Sequence, residues 1–176
     1  MDTIKTLFLN CSNKIPDFSL EGLNTYVRVC SVTDGDTIKV IMKLLDKQYF
    51  KFIIRLNGID TSETKSKSDK LKQIAIKAKE RLFQLLTNNK LNSDWKKKDI
   101  EKYFDDNICI VKIHCYNFDK YGRILADIYL LSNDNINEEN LPRKSLSEIL
   151  ISENLAYKYE GDTKLSEEEQ LKLLIN

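Results

Sequence analysis

The sequence predicts an α+β domain, mainly β, on three observations. Five short runs place apolar residues at the two-residue period of a strand. A longer run between the third and fourth has the period of a helix. Two capping boxes in the last third open further helices, so about three helices accompany the five strands.

Residues 1–24 mix polar and apolar types without a clear period, and Pro16 and Gly22 break them. They read as an N-terminal arm, and 25–176 as the domain. In the first strand Val27 and Val29 alternate with Tyr26, Arg28 and Cys30. Gly35 makes a turn, after which Ile38, Val40, Met42 and Leu44 alternate against Thr37, Lys39, Ile41 and Lys43. The third strand, Tyr49 to Leu56, puts Phe50, Phe52, Ile54 and Leu56 on one face and Arg55 on the other. Three strands at this spacing form a meander.

From Ser68 to about Asn88 the apolar stripe is Leu71, Ile74, Ala75, Ala78, Leu82, Leu85 and Leu86, with Ser68 as N-cap and Asn88-Asn89 as the stop. The stretch from about 91 to 106 is highly charged, with Lys96, Lys97 and Lys98, and reads as an irregular, solvated insertion. An exposed Trp95 there would favour a nucleic-acid contact instead. Strands follow at Ile108 to Tyr116 and Ile124 to Leu131. Ser145-Leu-Ser-Glu148 opens a short helix that Asn154 ends, Asn being tolerated in a left-handed cap, and Ser166-Glu-Glu-Glu169 opens the last helix.

Of 176 residues, 41% are hydrophobic and 31% charged, which fits one globular domain with a real core. The formal net charge is +1, so any binding of a polyanion rests on a local basic face. The first ten residues are too polar for an export signal, and no stretch approaches the roughly 20 apolar residues of a membrane span, since Lys43 interrupts the run from Val40. An intracellular, cytoplasmic protein without membrane contact is therefore expected, and a monomer. Cys11, Cys30, Cys109 and Cys115 lack the paired spacing of a zinc site and read as reduced, buried thiols. His114 is the one histidine, which excludes a two-histidine acid–base mechanism within one chain; it reads as a surface residue.

Three short signatures carry the chemistry: Asp34-Gly-Asp36-Thr37, Arg55-Leu-Asn-Gly-Ile-Asp60-Thr61-Ser62-Glu63, and Asp119-Lys120-Tyr121-Gly-Arg123. Taken alone, Asp-Gly-Asp is a hairpin turn and the arginines are strand-edge ion pairs. Together they offer hard oxygen ligands, two guanidinium forks and one spare carboxylate, the set needed for metal-dependent attack on a phosphodiester.

In residue type, order and spacing these signatures resemble the staphylococcal nuclease (thermonuclease) family, from about Tyr26 to about Lys164. The resemblance implies closure of the strands into a five-stranded OB-fold barrel. It also implies a calcium ion held by Asp36, Asp60 and the backbone carbonyl of Thr61. Arg55 and Arg123 become phosphate clamps and Glu63 the base for the attacking water. Lys120 and Tyr121 become nucleotide contacts, with Tyr157 and Tyr159 as candidates for the tyrosine facing the base; Lys164 is a weaker phosphate candidate. The family commonly has Pro where this chain has Ser62, a change that would loosen Glu63. The implied function is a calcium-dependent endonuclease acting on DNA and RNA, with little sequence specificity, leaving 3′-phosphate ends. The alternative is a non-catalytic OB-fold module that binds nucleic acid.

Overall fold

The computed structural model describes residues 2–44, 48–131 and 144–175. In chain order the elements are α1 (Asp2–Thr6), β1 (Asn24–Asp34), β2 (Thr37–Leu44), β3 (Gln48–Leu56), β4 (Ile59–Asp60) and α2 (Asp69–Thr87). There follow α3 (Lys97–Asp106), β5 (Cys109–Phe118), β6 (Ile124–Leu130), α4 (Leu146–Ser152), β7 (Tyr157–Lys158) and α5 (Glu167–Leu174). Five strands close a barrel in the order β1-β2-β3-β6-β5, as expected of an OB-type fold. Closure uses one parallel pair, β3 with β6; the other four pairs are antiparallel.

The period of two decides what fills the barrel. Val27, Val29, Ile38, Val40, Met42, Ile54, Leu56, Val111, Ile113, Cys115, Ala126 and Ile128 all point inward and are buried. The alternate residues of the same strands are partly or fully exposed, apart from Cys30 and those at the end that carries the site. Phe50 departs from the expected inward face: it lies toward the outer end of β3 and is exposed.

The helix α2 buries Leu71, Ala75, Ala78, Leu82, Phe83 and Leu86, the last three of them in the core cluster of the barrel. Ser68 accepts from the Leu71 N–H, and Asn88 closes the helix in the left-handed region at φ 57°. Asn154, just past α4, takes the same conformation at φ 56°. Gly35 is needed for proximity: a Cβ there would lie 2.6 Å from the Ala78 Cβ and 3.2 Å from the Thr61 Cγ2. The β1–β2 turn is thereby pressed onto α2 beside the residues that form the site.

The expected irregular insertion is corrected in its second half. Residues Lys97–Asp106 form α3, with Ile100 and Phe104 fully buried. Charged residues dominate its composition, but Ile100, Tyr103 and Phe104 sit at i, i+3 and i+4, one face of a helix. Burying two large apolar side chains contributes about 1.5–3 kcal/mol each, enough to order a short charged helix. Arg28 of β1 donates to the carbonyls of Phe104 and Asp105 at 3.0 and 3.1 Å, satisfying the free C-terminal end. Trp95 packs edge-on against Phe83 and beside Tyr103, so it belongs to the core margin.

The helix α1, also unpredicted, lies in the arm, where Ile4, Leu7 and Phe8 are exposed and Leu20 is the buried anchor. Among the described residues no helix is long and apolar enough to cross a membrane.

Candidate active site

Register assembles the site at one end of the barrel. Thr37 of β2 pairs with Arg55 of β3, and Arg55 pairs with Leu125 of β6. Asp36 and Arg123, just outside those pairs, therefore come to the same end of the barrel as Arg55. The short ladder of β4 with β7 sets Asp60 opposite Tyr157. Four separate segments converge on one cavity of about 310 Å³, lined among others by Asp36, Arg55, Asp60, Thr61, Glu63, Arg123 and Lys164.

At its centre the Arg55 guanidinium bridges two carboxylates. Nη1 lies 2.7 Å from Asp36 Oδ2, and Nη2 donates to Asp60 Oδ1 and to the Ile59 carbonyl. All three side chains are buried. The remaining oxygens are also engaged: Thr37 Oγ1 donates to Asp36 Oδ1 at 2.7 Å, and the Tyr157 hydroxyl donates to Asp60 Oδ2 at 2.6 Å. Lys164 Nζ spans the rim, 3.2 Å from Asp60 Oδ2 and 3.3 Å from Glu63 Oε1. Satisfying every polar atom is what makes so dense a buried charge cluster tolerable.

The two aspartates differ in proton affinity. Burial raises the pKa of Asp36, and the charge of Arg55 with the bond from Thr37 only partly offsets it. Burial acts on Asp60 too, but bonds from Tyr157 and Arg55 and the charges of Arg55 and Lys164 outweigh it, so Asp60 is held below the usual range. Arg55 and Lys164 lose to burial and regain more from their carboxylates, ending above their ordinary values.

Arg123 stands apart from this cluster. Its Nε donates to Asp119 Oδ2 at 2.6 Å, and Asp119 Oδ1 accepts from the backbone N–H of Tyr121 and Arg123, both at 2.9 Å. Asp119 thus folds its own turn and aims the guanidinium; its carboxyl is held low by those bonds against the effect of burial. A groove of about 840 Å³ adjoins the cavity, sharing Arg55, Glu63, Arg123 and Lys164 and adding Lys120, Tyr121 and Tyr159. Tyr121 is exposed, with Lys120 Nζ 5.2 Å and the Arg123 guanidinium 5.4 Å from its ring centroid.

The two candidate base-facing tyrosines separate. Tyr157 is 1% exposed with its hydroxyl on Asp60, so it cannot face a ligand, and the sequence-based grouping is corrected there. Tyr159 lies in the groove, 5.9 Å from the Arg55 guanidinium, its hydroxyl donating to the Asp162 carbonyl. The sequence reading missed the supporting role of Thr37 and gave Lys164 too little weight. Of the four free cysteines expected to be buried, Cys30 and Cys115 are buried, Cys109 is half-buried and Cys11 is exposed; burial pushes Cys109 and Cys115 up to about 11. His114 sits on β5 with Nδ1 3.0 Å from Asn24 Oδ1, outside the site.

A closed five-stranded barrel with buried carboxylates, two arginines and an open groove at one end is an OB-type domain. The sequence profile described as staphylococcal nuclease homologue matches residues 53–174, and the chain belongs to that family. Its members are typically nucleases and generally calcium-dependent. The matched segment contains Arg55, Asp60, Thr61, Glu63 and Arg123; Asp36 precedes it and is joined to them by the barrel register. No curated protein matches the chain.

The donor set fits a hard cation. Asp36 and Asp60 bring hard carboxylate oxygens to the cavity where Thr61 is also buried, and those oxygens are held here by Arg55, Thr37, Tyr157 and Lys164, the donors an ion would displace. Among the described residues no group of three or more His, Cys, Asp and Glu has metal-holding geometry. An ion of six to eight oxygen ligands would therefore draw the rest of its shell from backbone, water and substrate.

Proposed function

We infer that the chain is a calcium-dependent nuclease that hydrolyses phosphodiester bonds of DNA and RNA with little sequence specificity, leaving 3′-phosphate ends. The convergence on one cavity of Asp36, the Arg55–Glu63 signature, Arg123 and Lys164, four separate stretches of the chain, carries this reading.

Asp36, Asp60 and the Thr61 carbonyl would hold the calcium ion. When bound it supplies positive charge against the phosphate oxygens, lowering the repulsion an anionic nucleophile meets. Glu63 is exposed at the mouth of both the cavity and the groove, where its carboxylate can orient a water and take its proton. Arg123, from the turn before β6, offers N–H donors to the phosphate as charge builds on it, and Arg55 of β3 would add its own as its carboxylates turn to the ion. Lys164 adds a third cation beside Glu63. Tyr121 and Tyr159 give the groove aromatic surface against sugar and base, and Lys120 a cation for the flanking phosphate. None of these groups reads a base edge, which is the reason for expecting low sequence specificity.

Glu63→Gln tests the assignment of roles. It keeps size and one oxygen but cannot accept a proton at neutral pH. Single-turnover cleavage of a short single-stranded DNA should slow by at least ~10² with calcium-dependent affinity retained. Cleavage at the parent rate would make Glu63 an ordinary loop acid.

A further inference from the structure

The catalytic segment between Asp60 and α2 has little structure of its own. Over residues 61–68 its internal bonds are one turn, Ser66 N–H to the Glu63 carbonyl at 3.0 Å, and the Ser68 N–H on Ser66 Oγ at 3.0 Å. Yet Ser62 and Ser66 are buried, and both hydroxyls are spent on α5, about a hundred residues later. Ser62 Oγ donates to Gln170 Oε1 at 3.0 Å. Ser66 Oγ and the Lys67 N–H both donate to one oxygen of Glu167, at 2.6 and 2.9 Å. From the same C-terminal stretch, Lys164 holds the Glu63 carboxylate itself.

The far side of this clamp is built to stay put. Ser166 and Glu169 close a capping box at the start of α5, Gln170 Nε2 donates to the Leu165 carbonyl at 2.8 Å, and Leu174 is buried. Glu63 lies between the two anchored serines, three residues from one and one from the other. Where Ser62 would leave the segment loose, Gln170 holds its side chain.

We propose that Glu167 and Gln170 of α5 are positioning residues for the reaction, fixing the segment that carries Glu63 through Ser62, Ser66 and the Lys67 N–H. The proposal rests on Glu63 acting on the attacking water. Near-attack geometry tolerates little displacement, so releasing the clamp should lower turnover without weakening the hold on substrate, which lies in the groove beyond.

The experiment is single-turnover cleavage of a short single-stranded DNA with calcium, by the full chain. The variants are Glu167→Ala, Glu167→Gln and Glu168→Ala, each also combined with Glu63→Gln. Glu167→Ala should reduce the maximal rate by about 10-fold, a fraction of the roughly 10² attributed to an ångström of misplacement, with half-saturating oligonucleotide unchanged. Glu167→Gln keeps an acceptor for both donors and should stay near the parent. Glu168→Ala removes an equivalent charge from the same helix turn without touching the segment and should also stay near it. With Gln at position 63, the Glu167→Ala loss should vanish, because there is no base left to misplace. Parent turnover in Glu167→Ala, or an equal loss in Glu168→Ala, overturns the proposal. The same loss in both Glu63 backgrounds also overturns it while leaving Glu63 as base. Parent turnover in Glu63→Gln removes the underlying reading, and the proposal with it.

Discussion

Tyr157→Phe deletes a single oxygen, and the structure says what that costs. The hydroxyl donates to Asp60 Oδ2 at 2.6 Å, and both residues are 1% exposed, so the bond is a buried one. Hydrogen bonds to charged groups contribute about 1.5–3 kcal/mol. Lys164 shares the same oxygen at 3.2 Å and remains, which places the loss near the lower end, about 1.5–2 kcal/mol. For a chain of this size that is a fall in Tm of about 3–8 °C. Melting with chelator present, at a series of pH values, checks it. Asp60 has a folded-state pKa below its unfolded value, so its contribution is fully present above about pH 4 and is lost as pH falls through the folded pKa. The gap between parent and variant should be full at pH 7 and narrow toward acid. Oligonucleotide affinity should hardly change, since the ring lies inside the protein. A variant with the parent Tm and weakened oligonucleotide binding would refute this reasoning and return Tyr157 to the groove.

The two arginines should part company on truncation. Arg123→Ala removes a partly exposed pair with Asp119, so it should stay folded with little change in Tm while turnover falls about 10²–10³, read by single-turnover cleavage. Arg55→Ala leaves buried Asp36 without a cation and Asp60 with Lys164 alone, and should lose about 3–5 kcal/mol of stability as well, measured by denaturant titration in chelator. Thiol titration of the native protein near pH 7.5 should release one fast equivalent, from exposed Cys11; Cys30 is buried, and Cys109 and Cys115 are held protonated by burial.

Much of this was legible in the chain. The barrel strands announce themselves by alternation, and the three signatures name Asp36, Arg55, Asp60 and Arg123 before any coordinates do. Their convergence was not legible, because it depends on register: Thr37 opposite Arg55, Arg55 opposite Leu125. The helix α3 was hidden by its own charges, which outnumber the Ile100, Tyr103 and Phe104 stripe that buries it. Phe83 escaped because it neighbours Leu82 and widens the stripe of α2. Tyr157 and Tyr159 look alike at a period of two; what separates them is the two-residue ladder that draws Tyr157 down onto Asp60. The clamp on Ser62 and Ser66 joins residues about a hundred positions apart and has no local signature.

One measurement reaches the central claim directly: incubate the purified chain with end-labelled single-stranded DNA, with calcium or with chelator, and map the termini. The account predicts cleavage at many positions with calcium, 3′-phosphate ends, and none with chelator. Oligonucleotide bound but never cut with calcium would contradict it and make the domain a binding module.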